Sequence, residues 1–114
     1  MVHITGDAEK LKNCFASDAV MNGYVGPNIR EGTLKPFISS IEKGTTPFKD
    51  EPWANKVTGT IAFVYASGLC ASAAVVETSY AGAISFTDYF HLMKNGNGAW
   101  KIYSNMYQGD MEDK

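Results

Sequence analysis

Two β-rich runs with a turn between them occupy residues 83–107, AISFTDYFHLMKNGNGAWKIYSNMY. The first run, Ala83 to Lys94, and the second, Ala99 to Tyr107, are rich in the aromatic and aliphatic residues that favour strands. The sequence Asn95-Gly96-Asn97-Gly98 separates them, and asparagine and glycine are the residues that tight hairpin turns require. We therefore predict a β-hairpin in this stretch.

Two further β-rich runs precede this hairpin, Lys56 to Tyr65 and Leu69 to Tyr80. The turn-forming pairs Ser67-Gly68 and Ala81-Gly82 separate these runs from each other and from the hairpin. Strands that are joined by successive short turns pair with their neighbours in the chain. The four runs therefore predict an antiparallel meander.

The beginning of the chain shows helical signals. Asp7 is a good N-cap residue, and the apolar residues after it fall at helical spacing, which predicts a helix from Asp7 to Phe15. A short strand is expected from Ala19 to Tyr24. The turn residues Gly26-Pro27-Asn28 end this strand.

A second helix is predicted between Thr33, which can cap it, and Gly44, which closes it. Apolar residues recur in it at i, i+3, i+4 and i+7, which is one face of a helix. The stretch from Thr45 to Trp53 contains two prolines and is expected to be a loop. Helices followed by a sheet are the α+β pattern, and we predict a single domain over residues 1–114.

The composition excludes several classes of function. The chain has 114 residues, a net charge of −2 and 45% hydrophobic residues. No basic face or polybasic run is present, which argues against a partner that is a nucleic acid or a membrane surface. No stretch approaches the length of a membrane span, and the start of the chain does not resemble a leader, so we expect a cytoplasmic protein.

Two cysteines, Cys14 and Cys70, are too few for a disulfide framework in a chain of this size. Neither has metal-ligand spacing nearby, so we predict no metal site and no cofactor. We expect both to be reduced thiols in the hydrophobic core.

Blocks at both ends of the chain resemble a known family. GDAEKL at residues 6–11 and MNGY at residues 21–24 are similar to the opening of the "putative lumazine-binding" family, and FTDYFHLMK at residues 86–94 with GAWKI at residues 98–102 is similar to its closing hairpin. That family belongs to the nuclear transport factor 2-like (NTF2-like) superfamily, with SnoaL-like polyketide cyclases, ketosteroid isomerase and scytalone dehydratase as distant relatives. The resemblance implies a cone-shaped α+β fold, in which N-terminal helices pack on a curved, mainly antiparallel sheet around a pocket.

Asp88 is the candidate functional residue with the clearest signal. Alternate residues of a strand share a face, and the face that contains Asp88 is otherwise apolar. A carboxyl group among aromatic rings loses hydration, which raises its pKa unless it is paired. Asp88 is therefore either a functional acid in a pocket or a structural group that joins the sheet to a helix. The apolar residues that share its face are Ile84, Phe86, Phe90 and Leu92.

His91 falls on the opposite face of the same strand, which makes it a weaker candidate for a catalytic base. With Tyr89 on that face, Tyr103 and Tyr107 of the last run are expected to form a large aromatic surface. Such a surface favours a homodimer that pairs through this side of the sheet.

Three further residues are candidate ligand contacts. Asn22 and Tyr24 lie on the first strand, which the resemblance places along the cavity, although each could instead serve the following turn. Trp53 could cover the mouth of the pocket or bury itself on the sheet. In the match to ketosteroid isomerase, Gly23 takes the position of the general base, so the resemblance does not imply isomerase chemistry.

Three functions follow from these observations. The first is a dimeric domain whose apolar pocket binds a small apolar or aromatic molecule, contacted by Asn22, Tyr24, Trp53, Phe86, Asp88 and Phe90. The second is an enzyme of the SnoaL or dehydratase kind, with Asp88 as the catalytic acid or base. The third is an oligomerisation domain whose cone is filled by side chains.

Overall fold

A computed structural model describes residues 13–36, 58–80 and 84–111 of the chain. These residues are nearly all in strands. The six strands are β1 (Phe15–Val25), β2 (Asn28–Arg30), β3 (Thr58–Ser67), β4 (Cys70–Tyr80), β5 (Ile84–Lys94) and β6 (Trp100–Met111).

All six strands belong to one sheet, in the order β2-β1-β6-β5-β4-β3. The last four strands are joined as consecutive antiparallel hairpins, which confirms the predicted meander. β1 runs parallel to β6 and pairs with the short β2 on its other side. β5 therefore lies near the centre of the sheet, with β4 and β6 as its direct neighbours.

The turn between β5 and β6 forms where the sequence predicts it. The backbone N–H of Asn95 donates to the carbonyl of Ala99. The side-chain oxygen of Asn95 accepts hydrogen bonds from the N–H groups of Asn97 and Ala99, at 2.9 and 3.0 Å. This use of an asparagine side chain to hold a tight turn is the reason why the residue marks turns in sequences.

The strand bounds differ from the predicted ones mainly at the two ends of the sheet. β1 begins at Phe15, which was predicted to end a helix, and β2 forms where only a turn was predicted. β6 continues past Tyr107 to Met111 because β5 and β1 pair with it on both sides. Pairing across strands adds hydrogen bonds that local sequence signals do not show.

The predicted helices fall mainly outside the described residues. Asn13 and Cys14 are helical, as are Lys35 and Pro36, whereas Phe15, Thr33 and Leu34 are described and are not helical. The other residues of both predicted helices lie outside the described part of the chain. The described part of the chain therefore shows the sheet of the predicted α+β fold and not its helical layer. Within this part, no helix is both long and apolar enough to cross a membrane.

A register shift reverses the side-chain faces of β6. Leu92 pairs with Ile102 but His91 pairs with Ser104, so Tyr103 is an extra residue in β6. Such a β-bulge moves every later side chain of its strand to the opposite face. Asn105 and Tyr107 consequently lie on the face of Asp88, and the prediction that Tyr107 shares a face with Tyr89 is wrong.

We call the face with Asp88 the inner face and the face with Tyr89 the outer face. The inner face leads into the core of the described residues, which consists of Phe15, Ala19 and Leu34. Partly buried residues from three strands and from the helical residue Cys14 pack against this core; they are Cys14, Met21, Phe90 and Ile102. Cys70 is exposed at the start of β4, so the prediction that it is a core thiol is wrong.

Candidate functional site

Asp88 lies in the middle of β5 and is buried, with 7% of its surface exposed. Phe86, Phe90 and Leu92 share its face and are partly buried, whereas Tyr89, His91 and Met93 on the other face are exposed. The alternation predicted for this strand is confirmed. The sequence therefore places a carboxyl group in the apolar inner face of the central strand.

Glu77 of β4 brings a second carboxyl group to the same place. β4 and β5 pair so that Val75 lies opposite Asp88 and Glu77 lies opposite Phe86. Glu77 and Asp88 are thus diagonal neighbours on one face, a distance that long side chains can bridge. Their side chains form a hydrogen bond, and Glu77 has only 2% of its surface exposed.

Asn105 of β6 completes a polar group of three side chains from three strands. Its side-chain N–H donates to Oδ1 of Asp88 at 3.3 Å, and Asn105 is 3% exposed. The same amide also approaches the backbone oxygen of Tyr89 at 3.5 Å. Asp88 is therefore contacted by a carboxyl group on one side and by an amide donor on the other.

The electrostatics of this group favour a protonated carboxyl. Burial, followed by the charge and the hydrogen bond of Glu77, raises the pKa of Asp88 from 3.8 to about 7, while the hydrogen bond from Asn105 lowers it. Burial penalises the charged form of an acid, and a nearby like charge adds to that penalty. Asp88 can therefore gain or lose a proton near neutral pH, which ordinary aspartates do not do.

Tyr107 forms the aromatic edge of the site. It lies opposite Asp88 in the β5–β6 pairing, and its ring packs edge-on against Phe86 with centroids 6.0 Å apart. Burial raises the pKa of Tyr107, and so does the charge of Asp88, whereas the charge of Arg30 lowers it. The charge of Asp88 thus acts on the phenol of Tyr107. We call Asp88 and Glu77 together the carboxyl pair.

Two glycines allow these rings to lie against the sheet. A Cβ atom on Gly109 would come within 2.4 Å of the Phe86 ring, and one on Gly23 would come within 2.6 Å of the Tyr107 ring. Each ring therefore leans over a glycine of the neighbouring strand, a packing that compensates for the missing side chain. The rings make an apolar floor beside the carboxyl pair.

This arrangement can hydrogen-bond a ligand or transfer a proton. A carboxyl group with a pKa near neutrality is a suitable general acid or base. The described residues contain no group of three histidine, cysteine, aspartate or glutamate side chains that could hold a metal ion.

Asn22 and Tyr24 lie on the outer face, where they neighbour Met106 and Gln108. The side-chain oxygen of Asn22 accepts a hydrogen bond from the N–H of Gly32 at 3.0 Å, and Tyr24 is exposed. The expectation that both line a cavity together with Asp88 is therefore wrong. Strand β1 turns Gly23 inward between them. Trp53 lies outside the described residues.

His91 lies on the outer face, as predicted. It borders a groove of about 460 Å3 between β3 and β6, which does not include Asp88. Tyr65, Ser72, Met93 and Tyr103 also border this groove. The groove and the carboxyl pair are therefore separate features on opposite sides of the sheet.

Sequence reasoning missed both Glu77 and Asn105. Glu77 carries the same signal as Asp88, because it is the one charged residue in the alternating set Ala71, Ala73, Val75 and Glu77. Asn105 could not be placed by alternation, because the bulge at Tyr103 interrupts the count.

Comparison with solved structures shows the fold. A protein of unknown function from Silicibacter pomeroyi, described as NTF2-like, superposes with a TM-score of 0.75 at 23% identity, covering 95% of this chain and 84% of that one. A similar protein from Shewanella baltica has a TM-score of 0.71 at 24% identity, covering 92% and 79%. A protein from Parabacteroides distasonis, described as a "putative ketosteroid isomerase", has a TM-score of 0.61 at 14% identity, covering 92% and 77%.

Comparison of the sequence identifies the family. No curated protein matches the chain at a significant level. The family described as "Putative lumazine-binding" matches residues 1–108, which is nearly the whole chain. This match shows that the chain is a member of the "Putative lumazine-binding" family, and the solved structures show that its fold is NTF2-like.

Proposed function

We propose that this chain is a small-molecule-binding domain whose site is built around Asp88 on the inner face of the sheet. The observation that carries the proposal is a carboxyl group that is 7% exposed and has a pKa of about 7. Strong perturbation of an acid by burial and by a specific charged partner is typical of functional sites. A carboxyl group that keeps its proton up to neutral pH can donate and accept hydrogen bonds without needing a counter-ion.

The surroundings of Asp88 favour an aromatic ligand. Phe86, Phe90 and Tyr107 supply apolar surface on the same face, and Asp88 and Asn105 supply the polar groups. A mostly apolar surface with a few placed polar groups is the usual form of a ligand site. The family description names lumazine and one structural neighbour is described as a ketosteroid isomerase, and both names refer to cyclic organic molecules.

Binding to the inner face can be tested by NMR on the 15N-labelled chain. We expect lumazine or the uncharged ketone 2-acetylnaphthalene to shift the amide signals of Phe86, Asp88 and Asn105. The groove on the outer face is the internal control, because its residues His91 and Ser72 pair with each other on the opposite side of the same sheet. Shifts confined to the outer groove, or no shifts with either compound, would contradict the proposal.

A second function, an enzyme of the SnoaL or dehydratase kind, is favoured by the pKa of Asp88. An acid that titrates near neutral pH is suited to proton transfer, and the neighbouring Glu77 provides a second titratable group. Asp88→Asn separates the two functions, since an amide can still hydrogen-bond a ligand but cannot transfer a proton. Ligand affinity that persists while turnover is lost would favour the enzyme.

The outer face supports a further part of the proposal, a homodimer. Tyr89 and Met106 lie opposite each other there and are 52% and 56% exposed, with His91 and Tyr103 nearby. We expect the change of Tyr89 to Arg to convert a dimer into a monomer in sedimentation experiments, because it would place a charge in an apolar interface. Ile61→Arg on β3 is the matched control, because Ile61 is an exposed apolar residue on the inner face. A wild-type chain that sediments as a monomer would contradict the dimer.

A further inference from the structure

Two buried carboxyl groups share the inner face. Glu77 and Asp88 project from adjacent strands, hydrogen-bond to each other, and are 2% and 7% exposed. Two carboxylates in contact cannot both ionise without a large penalty, because like charges repel strongly where water is excluded. Glu77 therefore favours the protonated form of Asp88 under conditions in which isolated aspartates have lost their proton.

We propose that Glu77 is the positioning residue of the Asp88 site: its buried carboxyl group keeps the proton on Asp88, and this pair selects an uncharged ligand over an organic anion. The inference rests on the function proposed above, because it assigns a role within the same site. It adds the charge class of the ligand and the residue that determines it.

The opposing neighbours of Asp88 support this role. Glu77 on β4 favours the protonated form of Asp88, whereas Asn105 on β6 donates a hydrogen bond to its oxygen and favours the ionised form. Tyr107 also faces Asp88 from β6, and the charge of Arg30 on β2 acts on Tyr107. Among the described residues, Glu77, Asn105 and Arg30 are the other groups that shift the pKa of Asp88 or Tyr107 or donate a hydrogen bond to Asp88.

The charge of the pair determines the class of ligand. The charge of Glu77 acts on this part of the inner face, and above neutral pH the charge of Asp88 is added to it. An organic anion placed on Phe86 and Tyr107 would meet this charge with little water to screen it. An uncharged molecule of the same shape avoids the repulsion and can still form hydrogen bonds to the pair.

The proton on Asp88 can be measured without a ligand, from the 13C chemical shift of its carboxyl carbon during a pH titration. We expect the Cγ signal of Asp88 to change with a midpoint near pH 7 in the wild-type chain. A midpoint in the range of an ordinary aspartate would overturn the proposal. This measurement needs no variant and is unaffected by any folding defect.

Two variants should move the midpoint of Asp88 in opposite directions. Glu77→Gln removes the like charge and should lower it by about one pH unit or more. Asn105→Leu removes a hydrogen bond to the ionised form and should raise it. Loosening of the structure would hydrate Asp88 and lower the midpoint in both variants, so a rise in Asn105→Leu excludes that explanation. Asp110→Asn, an exposed carboxyl on β6, is the control and should leave the midpoint unchanged.

The ligand class is tested with two probes of nearly equal shape. We expect 2-acetylnaphthalene to bind the wild-type chain on the order of tenfold more tightly than 2-naphthoate at pH 6, and Glu77→Gln to reduce this preference. Equal binding of the two probes would overturn the ligand class. Failure of both probes to bind, with the raised midpoint of Asp88 intact, would instead contradict the proposed binding function and leave the effect of Glu77 on Asp88 established.

Discussion

Asp88→Asn should stabilise the chain at pH 8 and have little effect on its stability near pH 4. The native state keeps a proton on Asp88 up to about pH 7, whereas the unfolded chain releases it near pH 3.8. Between these values the native state binds more protons than the unfolded state, so the free energy of unfolding falls as the pH rises. Asparagine has the same shape and does not ionise, and it therefore removes this loss.

The size of the effect follows from the pKa shift. A rise from 3.8 to about 7 corresponds to at most about 4 kcal/mol at pH values above 7, at roughly 1.4 kcal/mol for each pH unit. Urea unfolding at pH 4 and pH 8 measures it. Asp110→Asn is the control, because that carboxyl is exposed and its removal should matter little at either pH. A variant that is less stable than the wild type at pH 8 would show that ionised Asp88 is stabilised by contacts other than those described.

Gly23→Ala should destabilise the chain by about 3 kcal/mol or more, which is the range of severe overpacking. Its Cβ atom would lie 2.2 Å from the backbone oxygen of Tyr107 as well as 2.6 Å from the ring of that residue. The backbone contact can be relieved only if β1 and β6 move apart, and this would break the parallel pairing at the edge of the site.

A comparison with Gly109 tests whether the backbone contact of Gly23 is the cause of this loss of stability. The nearest atoms to a Cβ at Gly109 all belong to the Phe86 ring, so Phe86→Leu should restore much of the stability that Gly109→Ala removes. Tyr107→Ala should not rescue Gly23→Ala to the same extent, because the backbone contact stays. Gly96→Ala, with no atom within 4 Å, is the control and should change stability by less than about 0.5 kcal/mol. Denaturant midpoints of the five variants test the whole set.

The meander could be predicted because its signals are local. Each hairpin is marked by strand-forming residues on both sides of a short turn, as in the Asn95 turn between β5 and β6. The parallel pairing of β1 with β6 joins residues about 80 positions apart, and no turn marks it. The start of β1 at Phe15 was missed for the same reason, since Phe15 pairs with Ile102 of the distant β6. The short β2 pairs with β1 directly across the Gly26-Pro27 turn, and its three residues are too few to give a strand signal.

The sequence predicted Asp88, the central residue of the candidate site, but not the residues that contact it. Asp88 stood out because it interrupts an apolar face of a single strand, which alternation alone reveals. Asn22 and Tyr24 were assigned to the pocket through the resemblance, and the register of β1 on β6 turns them outward instead. Tyr107 was assigned to the dimer face, and the bulge at Tyr103 turns it inward, onto Phe86.

By itself, the sequence determined the order of the strands in the meander, the side of β5 on which Asp88 lies, and the family. These properties depend on residues that are close together in the chain. Only the tertiary structure decided that Glu77, Asn105 and Tyr107 surround Asp88, because each comes from another strand and its position depends on the register between strands. A single extra residue at Tyr103 reverses the faces of β6, and local sequence signals do not reveal such a shift.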